Sequence, residues 1–570
     1  MEIARLTIGI VGTGGDGVVI LGTFLQRIAA SQGYYSVMPR YYSAQIRGGG
    51  SAVKLCIDAE RVSIPNDIID ILVCFDWGKY LEFETELELT EKSIVIYEYN
   101  PQSNITLPLT SFQIDFSSRS EVATGSTKDK NLVALGLLGK IMGLPEKHIS
   151  KIIEADSELK LLKDKITALK AGEQLYSELS IPVFGLPVPS DDSVKIVLHG
   201  NTAMARAAIR AGCKSFFGYP ITPAAEIMQV MQEEFSQDRG IFIQAEDEIA
   251  SAGMVLGASM VGVKAMTSTS GPGFDLMTEM MGLASSAEIP MVIVDVQRCG
   301  PSTGIPSKSE QSDLNHAVYG GHGDAPRVVM APYSVEGCYR LMIESLNVAY
   351  HFQTLVVLLS DQWLGQTFIA IDDKFLQEEY PILETKRLDD TTQGEYYRYR
   401  LTEDSISPMA TVGDERLTYQ TTGLAHHTNG TPAFDFETNQ IMHQKRWQKL
   451  MPLCKRDDLV KIFGKEESIK GIITWGSSGQ VVLEAIRDLN LMGQIKVCIP
   501  ELIYPLPDEM ERFVRSINKL LVIEMNHTGQ LHHLLRSNLD LPKSTKVYAR
   551  VGGRSFSKQE LANLLIELVQ

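Results

Sequence analysis

The chain has 570 residues, of which 44% are hydrophobic and 22% are charged, as expected for a globular protein of several domains. The net charge of -17 argues against nucleic-acid partners and anionic membrane surfaces, and no apolar run reaches transmembrane length. Seven scattered cysteines without a CxxC pair disfavour a disulfide framework and a zinc or iron–sulfur site within this chain. We therefore expect a cytoplasmic protein with free thiols and no metal ligands of its own.

Strand-like and helical segments alternate in three stretches, which predicts three α/β units. Residues 1–180 form the first unit, and residues 181–193 form a Pro- and Gly-rich linker. Residues 194–363 alternate short apolar strands with helices, as in a doubly wound parallel sheet covered on both faces. Residues 364–468 are polar and irregular, and we expect an extended arm packed over the other units. The alternation returns in a smaller unit at 469–570.

The stretch GIVGTGGDGVV follows the first strand and leads into a helix. Gly12, Gly14 and Gly17 form a GxGxxG turn, whose backbone can approach a phosphate at a helix N-terminus. The region about 20 residues later contains Arg40 and Arg47 but no acid for a ribose, which argues against NAD. A phosphate contact and a turn that only packs helix against strand both stay open.

The same stretch contains GDG, which opens a thiamine-diphosphate motif. That motif needs an asparagine some 25 to 30 residues later, whereas the first asparagine after Asp16 is Asn66. We expect Asp16 to be an acid in the first turn of the helix instead. The basic RGGGS loop at 47–51 could bind an anion or be a solvated turn.

In the second unit, GYPITPAAEIM follows the strand SFFGY. Thr222 before Pro223 is typical of the N-cap and first position of a helix. A capped helix does not explain Tyr219 and Pro220, which turn the chain at the carboxyl end of a strand.

Acidic residues crowd the next strand-to-helix junction, at Glu246, Asp247 and Glu248. They could cap the helix, or one glutamate could be desolvated and hydrogen-bond a heterocyclic nitrogen. The helix that follows contains Gly253, Gly257 and Gly262, which we expect to support close packing.

Arg298 lies just after the apolar strand PMVIVDV, where it could pair with a carboxylate through two hydrogen bonds. Ser302, Thr303 and Ser307 supply hydroxyl groups in the same loop.

Four of these motifs, GYPITPAAE, EDEIASAGMVLGAS, TSTSGPGFDLM and QRCGPSTGIPSKSEQSDL, together resemble the alpha subunit of 2-oxoacid:ferredoxin oxidoreductases. The N-terminal GTGGDGVVILG and QIRGGGS resemble the gamma subunit, here fused ahead of alpha. TWGSSGQVVLEAI, ELIYPLPDE and IEMNHTGQL resemble the C-terminal domain of alpha. The resemblance implies a gamma-type domain, a thiamine-diphosphate pyrimidine-binding-type domain and a smaller transketolase-C-like α/β domain. The fused order, with TGLAHHTNGTPAFD, is most similar to the 2-oxoglutarate type.

The resemblance implies CoA-dependent oxidative decarboxylation of 2-oxoglutarate to succinyl-CoA and CO2 with reduction of ferredoxin. The reaction is reversible as the reductive carboxylation of the reductive TCA cycle. Thiamine diphosphate would be shared with a beta subunit that holds Mg2+ and a [4Fe-4S] cluster in an (alpha-beta)2 heterotetramer. Pyruvate or a branched-chain 2-oxoacid is an alternative substrate. A non-catalytic nucleotide-binding or scaffold protein is the alternative from another class.

The resemblance also implies roles for single residues. Glu248, preferred to Glu246 because of its spacing to the glycine-rich helix, would contact the aminopyrimidine and promote ylid formation. Thr222 would lie beside the substrate and the reactive carbon of the cofactor, and Arg298 would bind the substrate carboxylate. The remaining expected contacts are Tyr219, Pro220 and Ile221 with the cofactor, and Ser307 and Arg47 with the substrates.

Overall fold

A computed structural model describes residues 5–43, 49–98, 108, 110–155, 162–179, 181–189, 191–238, 240–388, 395–410, 412–413 and 417–570. Within these ranges, no helix is long and apolar enough to cross a membrane. All seven cysteines are free thiols. The chain packs as two compact units: residues 1–199, 366–378 and 557–559 form the first, and residues 200–365, 379–556 and 560–570 the second.

Strands and helices alternate along most of the chain, as the sequence predicts. The strands are β1 (Arg5–Thr13), β2 (Tyr35–Met38), β3 (Arg40–Tyr42), β4 (Gly50–Asp58), β5 (Ile71–Cys74), β6 (Ile94–Tyr97), β7 (Thr110–Gln113), β8 (Ile196–Leu198), β9 (Ser215–Gly218), β10 (Ile241–Gln244), β11 (Ala265–Thr269), β12 (Met291–Gln297), β13 (Val328–Met330), β14 (Leu355–Asp361), β15 (Phe368–Ile371), β16 (Val460–Phe463), β17 (Lys470–Thr474), β18 (Lys496–Pro500), β19 (Leu502–Tyr504), β20 (Lys519–Glu524) and β21 (Ser544–Ala549). The helices are α1 (Val18–Ala30), α2 (Trp77–Tyr80), α3 (Phe116–Thr124), α4 (Lys130–Ile141), α5 (Glu146–Glu154), α6 (Leu162–Glu178), α7 (Gly200–Arg210), α8 (Ala225–Asp238), α9 (Glu248–Met260), α10 (Gly271–Leu276), α11 (Thr278–Ser286), α12 (Leu314–Tyr319), α13 (Val335–Phe352), α14 (Gln362–Gln366), α15 (Lys374–Gln377), α16 (Phe436–Gln448), α17 (Ser478–Asp488), α18 (Asp508–Arg515), α19 (Gln530–Asn538) and α20 (Lys558–Val569).

The first unit is built on one mixed sheet of order β7-β6-β5-β1-β4-β2-β15-β8, with β3 paired to β4. Strand β1 runs antiparallel to β4, with Arg5 opposite Asp58 and Thr13 opposite Gly50, and parallel to β5. The interior of β1 is buried, and α1 buries an apolar face that includes Leu21, Leu25 and Ile28. The sheet thus presents the glycine turn between β1 and α1 at the end of a central strand.

One segment differs from the sequence-based division of the chain. The strand in VKIVLHG, expected to open the unit at 194–363, is β8 and pairs with β15 in the first sheet. The first unit therefore extends beyond the expected boundary at 180 and includes the start of the segment expected to be an arm. The reason is that an apolar pattern identifies a strand but not the sheet that it joins.

The second unit contains two further sheets. The larger has the order β10-β9-β11-β12-β14-β13-β19, and its strands are parallel except at the β13–β19 edge. Its central strands β12 and β14 are buried along their whole length, as the continuous apolar runs predict. The smaller sheet has the order β16-β18-β17-β20-β21 and is parallel apart from β16. This architecture confirms an α/β protein with a doubly wound parallel sheet.

The described residues within 379–468 belong to the second unit, and a buried ion cluster joins two parts of this segment to Glu288. The carboxylate of Glu288 accepts hydrogen bonds from Lys445 at 2.6 and 2.7 Å and from Lys449 at 2.8 Å. Arg398 donates to the backbone carbonyl of Glu288 at 2.7 Å. Burial by itself raises the pKa of Glu288, but the two lysines outweigh burial and hold that pKa well below its usual value. The polar segment is therefore held by this ion cluster together with buried apolar side chains, among them Tyr399, Met442 and Leu450.

We predict that Glu288→Gln destabilises the second unit by about 3–5 kcal/mol, because it leaves two buried lysines without their counter-charge. The measurement is the urea unfolding transition, followed by circular dichroism. The matched control is Glu567→Gln, which breaks an exposed pair with Lys546 and should change the transition little. Equal transitions for the two variants would contradict a structural role for the cluster.

Candidate active site

The predicted site residues follow strands β9, β10 and β12, whose carboxyl ends lie at one edge of the larger sheet. After β9, Tyr219, Pro220 and Thr222 are exposed and Ile221 is half-buried. Helix α8 begins only at Ala225, after a turn over 222–224. The prediction that Thr222 caps this helix is therefore wrong, because a Thr-Pro pair does not report the turn that follows it. The turn instead leaves the Thr222 side chain accessible at the end of the strand.

Arg298 joins the segment after β9 to the loop after β12. Its Nη1 atom donates to the backbone carbonyl of Thr222 at 2.7 Å. The side chain is only 7% exposed, and its buried Nε atom has no hydrogen-bond partner among the described residues. Burial lowers the pKa of Arg298, whereas Asp313 and Asp295 act in the opposite direction. The Thr222 carbonyl thus holds Nη1 in place, whereas Nε has no hydrogen-bond partner among the described residues.

Glu248 is the first residue of α9 and is buried. The capping of α9 is done by Asp247, whose carboxylate accepts from the amide of Ala250 at 2.7 Å. Glu246 is exposed. The sequence left open whether these acids only cap the helix, and the structure assigns the cap to Asp247 and directs Glu248 inward.

The carboxylate of Glu248 lies against α10. A Cβ atom added at Gly273 would stand 2.5 Å from Oε1 of Glu248. On the same helix, a Cβ atom at Gly271 would stand 3.2 Å from Oδ2 of Asp313. The glycines of the TSTSGPGF motif therefore let two carboxylates, from α9 and from the loop after β12, approach one short helix.

The glycines of α9 have a different environment from the one expected. A Cβ atom at Gly253 or Gly257 would meet no atom within 4 Å among the described residues. The prediction of close packing at these two positions is therefore wrong within this chain. Met254 and Ile249 are exposed on the same helix. One side of α9 buries Glu248, and another side is apolar and open.

A cavity of about 390 Å³ lies beside Arg298, between the loops of the larger sheet and the segment after β20. Ser307, expected to bind substrate, belongs to the loop that the amide of Cys299 closes by donating to the carbonyl of Lys308 at 3.0 Å. Ser307 does not line this cavity. The lining residues are Gly271, Pro272, Asp275, Arg298, Cys299, Gly300, Pro301, Ser302, Glu310, Ser312, Asp313, Asn526, His527, Thr528, Gln530 and Val551.

Gln311 fixes the loop that carries this cavity, and sequence reasoning missed it. Its side-chain amide donates to the carbonyl of Trp475 at 2.9 Å and accepts from Ser478 at 2.8 Å and from the amide of Met525 at 3.0 Å. Its backbone amide donates to the carbonyl of Met525 at 2.8 Å, and its carbonyl accepts from Asn526 at 3.1 Å. A lone glutamine among serines and acids gives no signal of such a role in the sequence.

In the first unit, the glycine turn borders a cavity of about 290 Å³. The amide of Gly14 donates to the carbonyl of Gly49 at 3.2 Å, which joins the turn to the second glycine loop. Arg47 lies outside the described residues. The lining residues are Gly14, Gly17, Val18, Val19, Ile20, Tyr42, Ser43, Gly49, Gly50 and Ser51.

Asp16 lies before α1 rather than in its first turn, so the expectation of a helix-dipole role is wrong. Its carboxylate accepts from the amide of Thr13 at 2.6 Å and pairs with Lys130 at 2.8 Å. The acid closes the turn and ties it to α4, contacts that local sequence does not report.

Comparison with known proteins supports the family resemblance that these motifs carry. Residues 206–445 match the family model described as "Pyruvate flavodoxin/ferredoxin oxidoreductase, thiamine diP-bdg", and residues 7–175 match "Pyruvate ferredoxin/flavodoxin oxidoreductase". The chain is 30% identical to subunit alpha of 2-oxoacid:ferredoxin oxidoreductase 2 of Aeropyrum pernix, over 85% of this chain and 78% of that protein. It is 38% identical to the 2-oxoglutarate synthase subunit KorA of Archaeoglobus fulgidus, over 59% of this chain and 89% of that protein.

A solved structure covers the whole chain. It is the 2-oxoglutarate:ferredoxin oxidoreductase from Magnetococcus marinus with 2-oxoglutarate, coenzyme A and succinyl-CoA bound. The identity is 33%, the TM-score is 0.91, and the match covers 100% of both chains.

We predict that Gly17→Ala destabilises the first unit and that Gly14→Ala does not. Gly17 has φ +72, and a Cβ atom there would stand 2.5 Å from Nδ2 of Asn131, whereas a Cβ atom at Gly14 would meet nothing within 4 Å. The left-handed backbone alone costs an alanine about 1–2 kcal/mol. Thermal unfolding of the two variants is the measurement. Equal melting temperatures would contradict this division between a glycine that the backbone requires and one with open space at its Cβ position.

Proposed function

Because the chain belongs to the family of 2-oxoacid:ferredoxin oxidoreductase alpha subunits, we propose that it catalyses, with a partner subunit, the CoA-dependent oxidative decarboxylation of 2-oxoglutarate. The products are succinyl-CoA, CO2 and reduced ferredoxin, and the reverse reaction is a reductive carboxylation. The observation that carries the proposal is the placement of Thr222, Glu248 and Arg298 after the carboxyl ends of β9, β10 and β12, with Arg298 hydrogen-bonded to the Thr222 carbonyl.

The residues of this chain fit thiamine diphosphate. When bound, this cofactor supplies the carbon nucleophile for the 2-oxoacid carbonyl and accommodates the electron pair that decarboxylation leaves. Glu248 is buried at the start of α9, where its carboxyl can hold a proton against a ring nitrogen. Tyr219, Pro220 and Ile221 would line the ring from the end of β9.

Arg298 would bind the carboxylate next to the reacting carbonyl. Its anchor on the Thr222 carbonyl fixes the guanidinium, and burial strengthens a charge-assisted hydrogen bond to an anion. Thr222 would place its exposed hydroxyl beside the same substrate, with Ser307 and Arg47 as further substrate contacts. Pyruvate and branched-chain 2-oxoacids share this carboxylate, so they stay alternative substrates.

We further propose that the cavity at the glycine turn receives an anionic part of coenzyme A. Its support is the backbone-rich lining from two glycine loops and the open space at Gly14. Backbone amides near the start of α1 suit a phosphate oxygen.

The proposed partner is a beta subunit that holds the diphosphate, Mg2+ and a [4Fe-4S] cluster in an (alpha-beta)2 assembly. The subunit name of the Aeropyrum pernix relative supports a multi-subunit enzyme. The open face of α9, with Gly253, Gly257 and Met254, is the surface that we assign to this partner. Free thiols throughout the chain support a cytoplasmic location.

The test is turnover of 2-oxoglutarate, pyruvate and a branched-chain 2-oxoacid by the purified complex with CoA and ferredoxin. We expect the highest kcat/KM with 2-oxoglutarate. Glu248→Gln should lower the rate about 100- to 10,000-fold, because the amide cannot exchange a proton with the ring nitrogen.

The control is Glu246→Gln, which removes an exposed acid two residues away and should leave the rate unchanged. A Glu248→Gln enzyme with the wild-type rate would refute the role of this glutamate. No turnover of any of the three acids would refute the proposed function, and a preference for pyruvate would refute the substrate.

For coenzyme A, we predict that Gly14→Val raises the KM for CoA several-fold, because its side chain would project into the cavity. The KM for the 2-oxoacid should not change and serves as the internal control. Steady-state kinetics with each substrate varied in turn is the measurement. An unchanged KM for CoA would place the CoA site elsewhere.

A further inference from the structure

Two carboxyl groups that the proposed mechanism does not use lie behind Arg298. Asp295 is on β12 and is fully buried, and Asp313 lines the 390 Å³ cavity together with Arg298. No N–H or hydroxyl group of the described residues donates to either oxygen of Asp295 or to Oδ2 of Asp313. The amide of Asp313 donates to the side chain of Gln297 at 3.1 Å, which holds Asp313 at this place.

This arrangement requires a shared proton. Asp295 and Asp313 interact directly, and three of their four oxygens accept no hydrogen bond from an N–H or hydroxyl group of the described residues. Two ionised carboxylates are not stable in such a buried site, so one proton stays between them. Burial and the neighbouring Asp313 raise the pKa of Asp295 well above its usual value. Asp295 is therefore the donor of the pair, and Asp313 is the acceptor that gains or loses charge.

Asp313 can change its charge near neutral pH. Burial raises the pKa of Asp313 to about 7, and the hydrogen bond from Asp295 and the charge of Arg298 act against that rise. Asp275 on α10 and Glu310 in the same loop add to the rise. From the segment after β20, His527 lines the same cavity.

We propose that the Asp295–Asp313 pair is the counter-charge of Arg298 and takes up a proton when a substrate carboxylate binds. The proposal rests on the proposed function, in which Arg298 binds that carboxylate. Asp313 then acts through Arg298: its negative charge offsets that of Arg298 before the substrate binds, and its protonation makes the positive charge of Arg298 available to the substrate carboxylate.

The charge of Asp313 determines how the affinity for the substrate changes with pH. Below about pH 7 both carboxyls are protonated, so the positive charge of Arg298 is available to the substrate. Above that pH Asp313 is ionised and competes with the substrate carboxylate for Arg298. Affinity for the 2-oxoacid should therefore fall as pH rises, by up to about tenfold per pH unit.

The experiment measures the KM for the 2-oxoacid with the assembled enzyme from about pH 6 to about pH 8.5. We expect the wild-type KM to rise above neutrality and the KM of Asp313→Asn to stay at its low-pH value, since the amide cannot ionise. Asp457→Asn, at an exposed acid that pairs with Arg512 and does not line the cavity, is the matched control and should keep the wild-type profile.

A wild-type rise that persists in Asp313→Asn would overturn the proposal. A second measurement does not depend on the variant: calorimetry of 2-oxoacid binding to the wild-type enzyme, at about pH 8 in two buffers of different ionisation enthalpy, should show uptake of close to one proton. No proton uptake would also overturn the proposal. The proposed function fails separately, if the assembled enzyme turns over none of the three 2-oxoacids.

Discussion

The hydrogen bonds of Gln311 fix the geometry of the second unit. This one buried residue uses its backbone amide, backbone carbonyl and side-chain amide to join the loop after β12 to the segments after β17 and β20. A buried hydrogen bond contributes only about 1 kcal/mol net, but a buried group left without its partner costs about 1–3 kcal/mol. Several groups would lose partners together if the loop moved. The loop therefore has one position, and the segments that hold it lie more than 160 residues away in the chain.

The position of the loop decides what Arg298 can do. With its Nη1 atom on the Thr222 carbonyl, the guanidinium connects the end of β12 to the end of β9. Between these strands, β11 leads into α10, against which Glu248 lies. A buried arginine in a fixed loop loses little conformational entropy on binding a carboxylate, which is what a site for a small anion requires. The preorganisation of the site is thus a property of the contact between two sheets, not of the site residues alone.

Much of the fold and of the candidate site was predictable from the sequence, and the features that were not predictable share a cause. Strand–turn–helix order at the glycine turn and the doubly wound parallel sheet follow from local patterns, whereas the pattern at Glu246, Asp247 and Glu248 left open which acid points inward. The assignment of β8 to the first sheet, the role of Gln311 and the ion pair of Asp16 with Lys130 depend on partners far away in the chain. Spacing and periodicity indicate which face of a helix or strand is buried, but they do not identify the group that packs against that face.

The contrast between Glu288 and the Asp295–Asp313 pair separates a structural cluster of charges from a functional one. Glu288 is surrounded by lysines that satisfy its charge completely, so its ionisation is fixed and the polar segment at 379–468 stays attached. Asp295 and Asp313 interact electrostatically with a single guanidinium, that of Arg298, which also donates a hydrogen bond to the Thr222 carbonyl. A cluster with fewer positive than negative charges keeps a proton that it can exchange, and a ligand of negative charge shifts that exchange. In the proposed mechanism, the incomplete compensation at Arg298 is therefore the feature that couples substrate charge to protonation.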